Sequence, residues 1–123
     1  MDKKKILIVD DDPVVLEMVK DYLADKGYEV FTFDRGLGTS NEIAKVKADL
    51  LILDIDMPAL SGDKICEIIR EEGYFPHLKI LMYSALEERE LKKTAEEQGA
   101  DDFLHKSADM SVLANKVAKL LSR

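Results

Sequence analysis

Short strand-like runs, each followed by a helix-like stretch, dominate this sequence and restrict its fold more than any other feature. The runs are KILIV (5–9), EVFTF (29–33), DLLIL (49–53), KILMYS (79–84) and DDFLH (101–105). Runs of this length bounded by turn signals read as strands. KILIV and DLLIL are near-continuously apolar, as strands covered on both faces must be, whereas EVFTF alternates like an edge or half-covered strand. Between them, DPVVLEMVKDYLADKG reads as a helix with Asp12 as N-cap, Pro13 in the first turn and Gly27 as its stop. Its apolar residues Val15, Met18, Val19, Tyr22 and Leu23 fall at helical spacing. TSNEIAKVK carries a Thr39 to Glu42 capping box. DKICEIIREEG ends at Gly73, and LEERELKKTAEEQG, poor in apolar residues, ends at Gly99. MSVLANKVAKLLS closes the chain with Met110, Leu113, Val117, Leu120 and Leu121 on one stripe.

Strand–helix alternation predicts an α/β fold with a doubly wound five-stranded parallel sheet covered by helices on both faces. Right-handed crossovers then bring every strand's C-terminal end to one edge, where the crevice at the reversal of strand order takes ligands. A chain of 123 residues suits one domain, residues 1–123. Its apolar runs are too short to span a membrane, and MDKKK leads directly into a strand without a signal peptide. The single cysteine, Cys66, forms no internal disulfide, fits a reducing, cytoplasmic setting and reads as a packed hydrophobe. The formal charge is −7, so the basic face that grips nucleic-acid phosphates is missing and no direct nucleic-acid binding is expected.

The residues that end the strands carry the chemistry. The first strand runs into Asp10, Asp11 and Asp12, the third into Asp54, the fourth ends in Tyr83 and Ser84, and the fifth in His105 and Lys106. Two carboxylates about 5 Å apart repel by about 3 kcal/mol at an effective dielectric near 20. Asp10, Asp11 and Asp54 gathered at one crevice therefore call for a cation, and Mg²⁺ suits a few carboxylates, a backbone carbonyl and open positions. With Lys106 and the Ser84 hydroxyl beside it, such a site can hold a phosphoryl group, which leaves one carboxylate free as nucleophile. Asp54 is the candidate, because it ends a central strand with acids on its neighbour. Asp12 reads as a helix cap rather than a ligand.

These residues resemble the response-regulator receiver domain. The likeness is carried by ILIVDDDP, LLILDIDMPALSG, ILMYSA and GADDFLHK in that order, and it runs from Lys5 to the last helix. It implies the flavodoxin-like (βα)5 fold with strand order 2-1-3-4-5. It implies that Asp54 takes a phosphoryl group from a phosphohistidine on a histidine kinase or phosphotransfer protein. Mg²⁺ would be held by Asp10, Asp11, Asp54 and the backbone carbonyl of Asp56, with Lys106 on the acyl phosphate. Ser84 would move to bond a phosphoryl oxygen and Phe103 would turn inward. That motion would reshape the face of the fourth helix, fifth strand and fifth helix, and so signal to a downstream target or effector domain. Such a domain catalyses only its own phosphorylation and dephosphorylation. Several positions depart from the commonest pattern or vary within the family. Ser107 replaces the proline that usually follows the lysine after a cis bond, Phe103 replaces a frequent tyrosine, and Asp56, with Leu86, occupies a position expected to tune hydrolysis.

Three other functions compete. A haloacid-dehalogenase-type phosphatase shares the DxD pattern of LDIDMP, but there the DxD strand comes first and the paired acids late. A flavodoxin-like flavin carrier would need a Ser/Thr-rich phosphate loop where this chain has three acids. A scaffold receiver would have lost part of the set of acids, Asp54, Ser84 and Lys106. Val14, Val15 and the Lys106–Ser107 loop, flanking the crevice, are expected to meet the phosphodonor. His77 and His105 read as structural or solvated. A chain beginning at Met1 and stopping at Arg123 is expected to be a stand-alone receiver or one cut from a longer protein.

Overall fold

The computed structural model describes residues 2–122. Five strands, β1 (Lys5–Val9), β2 (Glu29–Phe33), β3 (Leu50–Leu53), β4 (Lys79–Ser84) and β5 (Asp102–His105), alternate with five helices. The helices are α1 (Pro13–Asp25), α2 (Thr39–Val46), α3 (Gly62–Glu72), α4 (Glu88–Gln98) and α5 (Met110–Leu121). All strand pairs are parallel, as the strand–helix alternation predicts, and the order is β2-β1-β3-β4-β5, as the family resemblance implies.

The sheet divides the core in two. Leu7, Val9, Leu51, Leu53, Ile80 and Met82 pack with Ile43 of α2, Ile65 and Ile69 of α3, and Leu91 of α4. The alternate residues Ile6, Ile8, Leu50, Ile52, Leu81 and Tyr83 pack with Leu16, Val19 and Leu23 of α1 and Leu113, Val117 and Leu120 of α5. Successive strand side chains point to opposite faces, so a strand covered on both has no polar position to spare. Each large aliphatic side chain removed from water contributes about 1.5–3 kcal/mol.

Several local expectations are corrected. On α1 the buried stripe is Leu16, Val19 and Leu23, while Met18 is 43% exposed. Leu16 and Met18 are two positions apart and cannot share a helix face; the packing chose the former. The capping box at Thr39 and Glu42 does not form. Gly38, at φ 91°, caps α2 without a side-chain bond, and Thr39 is already helical, its buried hydroxyl donating to the Gly36 carbonyl at 2.6 Å. Asp12 does cap α1, accepting from the Val14 N–H at 2.9 Å.

Two polar clamps fix the layers. Asp49 Oδ2 accepts the Lys5 N–H at 2.8 Å. Arg70 of α3 donates to the carbonyls of Gly99 and Leu78 and to Asp101 Oδ2, which also accepts the Ile80 N–H. The strand order reverses about β1, so the crevice opens above the C-terminal ends of β1 and β3, where Val9 lies in register with Leu53.

Candidate phosphoryl site

Asp10 and Asp54 each follow a buried strand by one residue, and the sheet carries both carboxyls under cover. Asp10 is 1% exposed and Asp54 4%. The Asp10 N–H donates to Phe33 O and the Asp54 N–H to Val9 O, which extends the ladders up to the acids themselves. Asp11, Asp56 and Asp12 lie exposed at the rim. Asp10, Asp11, Asp12, Asp54, Asp56, Ser84, Ala85, Leu86 and Lys106 line one cleft of about 270 Å³.

Lys106 reaches in from the turn after β5. Its Nζ lies 2.7 Å from Asp10 Oδ2 and 3.4 Å from Asp54 Oδ1. Burial pulls the ammonium's pKa down, but the bond to Asp10 and the two carboxylate charges outweigh it, so the pKa is raised. Asp54 goes the other way. Burial, then the Asp10 carboxylate, push its carboxyl up to about 6 against the opposing pull of Lys106 and of a backbone hydrogen bond from Asp56. Asp54 is thus a carboxyl short of stabilising charge.

A hard cation fits this arrangement on the chemistry of its donors. Asp10, Asp11 and Asp54 each offer a carboxylate oxygen within 4.8 Å of the others. Asp10 Oδ1 accepts the Asp12 N–H at 2.9 Å. Asp10 Oδ2 is fully buried and, among the described residues, meets no hydrogen-bond donor beyond the Lys106 ammonium 2.7 Å away. A buried carboxylate oxygen served by one ammonium that it shares with a second acid is short of partners, and a divalent ion would satisfy it.

Ser84 is fully buried at the end of β4. Its Oγ accepts the Leu86 N–H at 3.2 Å. Phe103 is half-buried beside Met82 on the next strand, packed against the core under α2, α3 and α4. Lys116 of α5 holds its Nζ 5.6 Å from the Phe103 ring and 2.9 Å from Asp102 Oδ1. The structure therefore brings together Asp10, Asp11, Asp54, Asp56, Ser84 and Lys106, and sets Phe103 apart from the cleft on β5. Among the described residues no peptide bond is cis, so Ser107 follows Lys106 in trans and the lysine still reaches both acids. Val14 is 70% exposed and Val15 half-buried, so only the first stands free.

One supporting residue escaped the reading of the sequence. A Cβ built on Gly62 would lie 1.9 Å from the Asp54 carbonyl oxygen. Only glycine lets the start of α3 press against the backbone of Asp54, with its N–H donating to Ile55 O at 2.9 Å. Its sequence signal is the glycine that closes LLILDIDMPALSG immediately before the helical stretch DKICEIIREEG.

The model of the response regulator receiver domain matches residues 6–118. The DNA-binding dual master transcriptional regulator RpaA of Synechocystis is 31% identical over 119 residues, covering 97% of this chain and 49% of that protein. The alkaline phosphatase synthesis transcriptional regulatory protein PhoP of Bacillus subtilis is 33% identical over 121 residues, covering 98% and 49%. The chain thus spans about half the length of these curated relatives. Among solved structures, the BeF3-activated N-terminal receiver domain of Klebsiella pneumoniae RstA superposes with a TM-score of 0.90 at 28% identity, covering 98% of this chain and 100% of that one. Sequence, sheet order and cleft agree: this chain belongs to the response-regulator receiver family.

Proposed function

We propose that the whole chain, residues 1–123, acts as one receiver domain that takes a phosphoryl group onto Asp54 and changes its α4–β5–α5 face in response. The observation that carries this reading is the position of Asp54: buried, its carboxyl pushed up to about 6, and flanked by Asp10 on one side and Lys106 on the other. A carboxylate poorly stabilised by its surroundings is the better nucleophile.

In the transfer, an Asp54 carboxylate oxygen forms a bond to phosphorus as the phosphorus–nitrogen bond to the donor imidazole breaks. The imidazole keeps that electron pair and takes a proton. Asp10, Asp11, Asp54 and the Asp56 carbonyl are the groups that would hold Mg²⁺, which supplies charge neutralisation for the phosphoryl oxygens. Lys106, held between the two acids, contacts the acyl phosphate as a point charge. The Ser84 hydroxyl leaves the Leu86 N–H and donates to a phosphoryl oxygen. Phe103 then turns toward the space so opened. The outcome is a population shift biased by one charge-assisted bond.

The donor is a histidine kinase or phosphotransfer protein that meets Val14, Val15 and the Lys106–Ser107 turn beside the cleft. The recipient of the signal is a target protein or effector domain that meets the α4–β5–α5 face, and both partners belong in the cytoplasm. With a formal charge of −7, this domain is poorly suited to touch nucleic-acid phosphates itself. It turns over no separate substrate and acts only on its own Asp54.

Intact mass after incubation with acetyl phosphate, with and without Mg²⁺, tests the reading. One added phosphoryl group is expected with the metal, and none in Asp54→Ala. An adduct that persists in Asp54→Ala would refute it.

A further inference from the structure

The turn that delivers Lys106 is short, and something must hold it. The Ala108 N–H donates to the His105 carbonyl at 3.0 Å, so Lys106 and Ser107 are the central residues of a tight turn. The Lys106 N–H donates to Ser84 O at 2.9 Å, which ties this turn to the end of β4. Ser107 brings no ring to fix its own φ.

The His105 side chain supplies a second tie. The Ser107 N–H donates to Nδ1 at 3.1 Å, the Ser107 Oγ lies 2.8 Å from the same nitrogen, and Nε2 lies 3.2 Å from the Ala85 carbonyl oxygen. A backbone N–H can only donate and a carbonyl can only accept. One tautomer alone satisfies both neighbours: Nδ1 bare, Nε2 carrying hydrogen. The ring thus spans the two loops that wall the cleft, one bearing Lys106 and the other bearing Ser84, Ala85 and Leu86. His105 itself does not line the cleft and touches neither carboxylate.

We propose that His105 is a positioning residue for phosphoryl transfer, holding the Lys106 turn against the end of β4 through its bridge to Ala85. This rests on the phosphoacceptor reading of Asp54. Losing the bridge leaves the backbone to set the reach of Lys106. A misplacement of ~1 Å in such a site costs up to about a hundredfold in rate. The ring's two ends can be tested separately, because Asn places an acceptor near Nδ1 and Gln places a donor near Nε2.

The experiment measures the rate of phosphorylation by saturating acetyl phosphate with Mg²⁺, by intact mass, for the unaltered protein, His105→Ala, His105→Asn and His105→Gln. Mg²⁺ affinity and thermal unfolding are measured alongside. His105→Ala is expected to slow phosphorylation about tenfold with Mg²⁺ affinity unchanged. His105→Gln is expected to return within about twofold of the unaltered protein, and His105→Asn to stay near the alanine rate. If His105→Ala does not fold, the Gln-to-Asn rate ratio decides alone. Equal rates for Gln and Asn, or an alanine variant as fast as the unaltered protein, overturn this inference only. A wild-type protein that gains no phosphoryl group overturns the Asp54 reading and this inference with it.

Discussion

Replacing Asp54 by asparagine should stabilise the metal-free protein, and the gain should appear only as the pH rises. In the unfolded chain an aspartate titrates near ~3.9. In the folded protein the Asp54 carboxyl is pushed up to about 6, chiefly by burial and then by Asp10. A raised acid pKa means that the folded state holds its proton longer than the unfolded one. Stability contributed by the neutral form is intact below about pH 4 and is lost between about 4 and 6. A gap of about two units, at about 1.4 kcal/mol each, makes the full cost about 3 kcal/mol above that window. Solvent screening removes little of it, because Asp54 is only 4% exposed. Asparagine keeps the shape without the charge. Urea titrations of both proteins in chelator, from pH 4 to 8, should therefore converge at the acid end and separate by about 3 kcal/mol at pH 8. The melting difference there would be about 10 °C. A variant less stable than wild type at pH 8, or a difference that does not change with pH, would refute the electrostatic account of this carboxyl.

Added Mg²⁺ should raise the melting temperature of the unaltered protein, by the equivalent of about 3 kcal/mol at a hundred times its dissociation constant, and raise Asp54→Asn much less; differential scanning fluorimetry reads this. Gly62→Ala should cost at least about 3 kcal/mol by urea titration and slow phosphorylation, because its Cβ would meet the Asp54 backbone at 1.9 Å. Lys106→Met should slow phosphorylation by acetyl phosphate about tenfold to a hundredfold, measured by intact mass, while leaving Mg²⁺ binding in place. Arg70→Ala should cost about 2 kcal/mol, since it takes a donor from the carbonyls of Gly99 and Leu78 and the paired charge from Asp101, and lysine should restore less than half because a point charge cannot span three acceptors.

Much of the fold and the cleft could be read from the sequence because both follow from one constraint. Parallel strands buried on two faces leave a continuous apolar run, and the first polar residue after it marks the ligand edge. Asp10, Asp54 and Ser84 were visible for that reason, whereas Lys106, after the short DDFLH run, stood out by its place in GADDFLHK. What was hidden depends on contacts between residues far apart in the chain. The choice of Leu16 over Met18 follows from where α1 meets the sheet, since helical periodicity admits either. The failed capping box at Thr39 follows from a loop drawn inward, where a Cβ on Gly36 would lie 2.4 Å from Leu60 O. Arg70 finds Asp101 and Gly99 across a helix and a strand, and the His105 ring finds Ala85 across the top of the sheet. Neither pairing has a local signature. Ser107 departs from the family's proline, yet Lys106 lies 2.7 Å from Asp10. The ring of the preceding residue, invisible as a partner until the loops are placed, accounts for how that turn is held.

The residue that carries the phosphoryl group can be located by chemistry. The protein is phosphorylated with phosphoramidate and Mg²⁺, reduced with borohydride and sequenced by tandem mass spectrometry; an acyl phosphate on an aspartate becomes homoserine. The account predicts homoserine at residue 54 alone. Homoserine at another aspartate, or a phosphoryl group on histidine or serine instead, would contradict it.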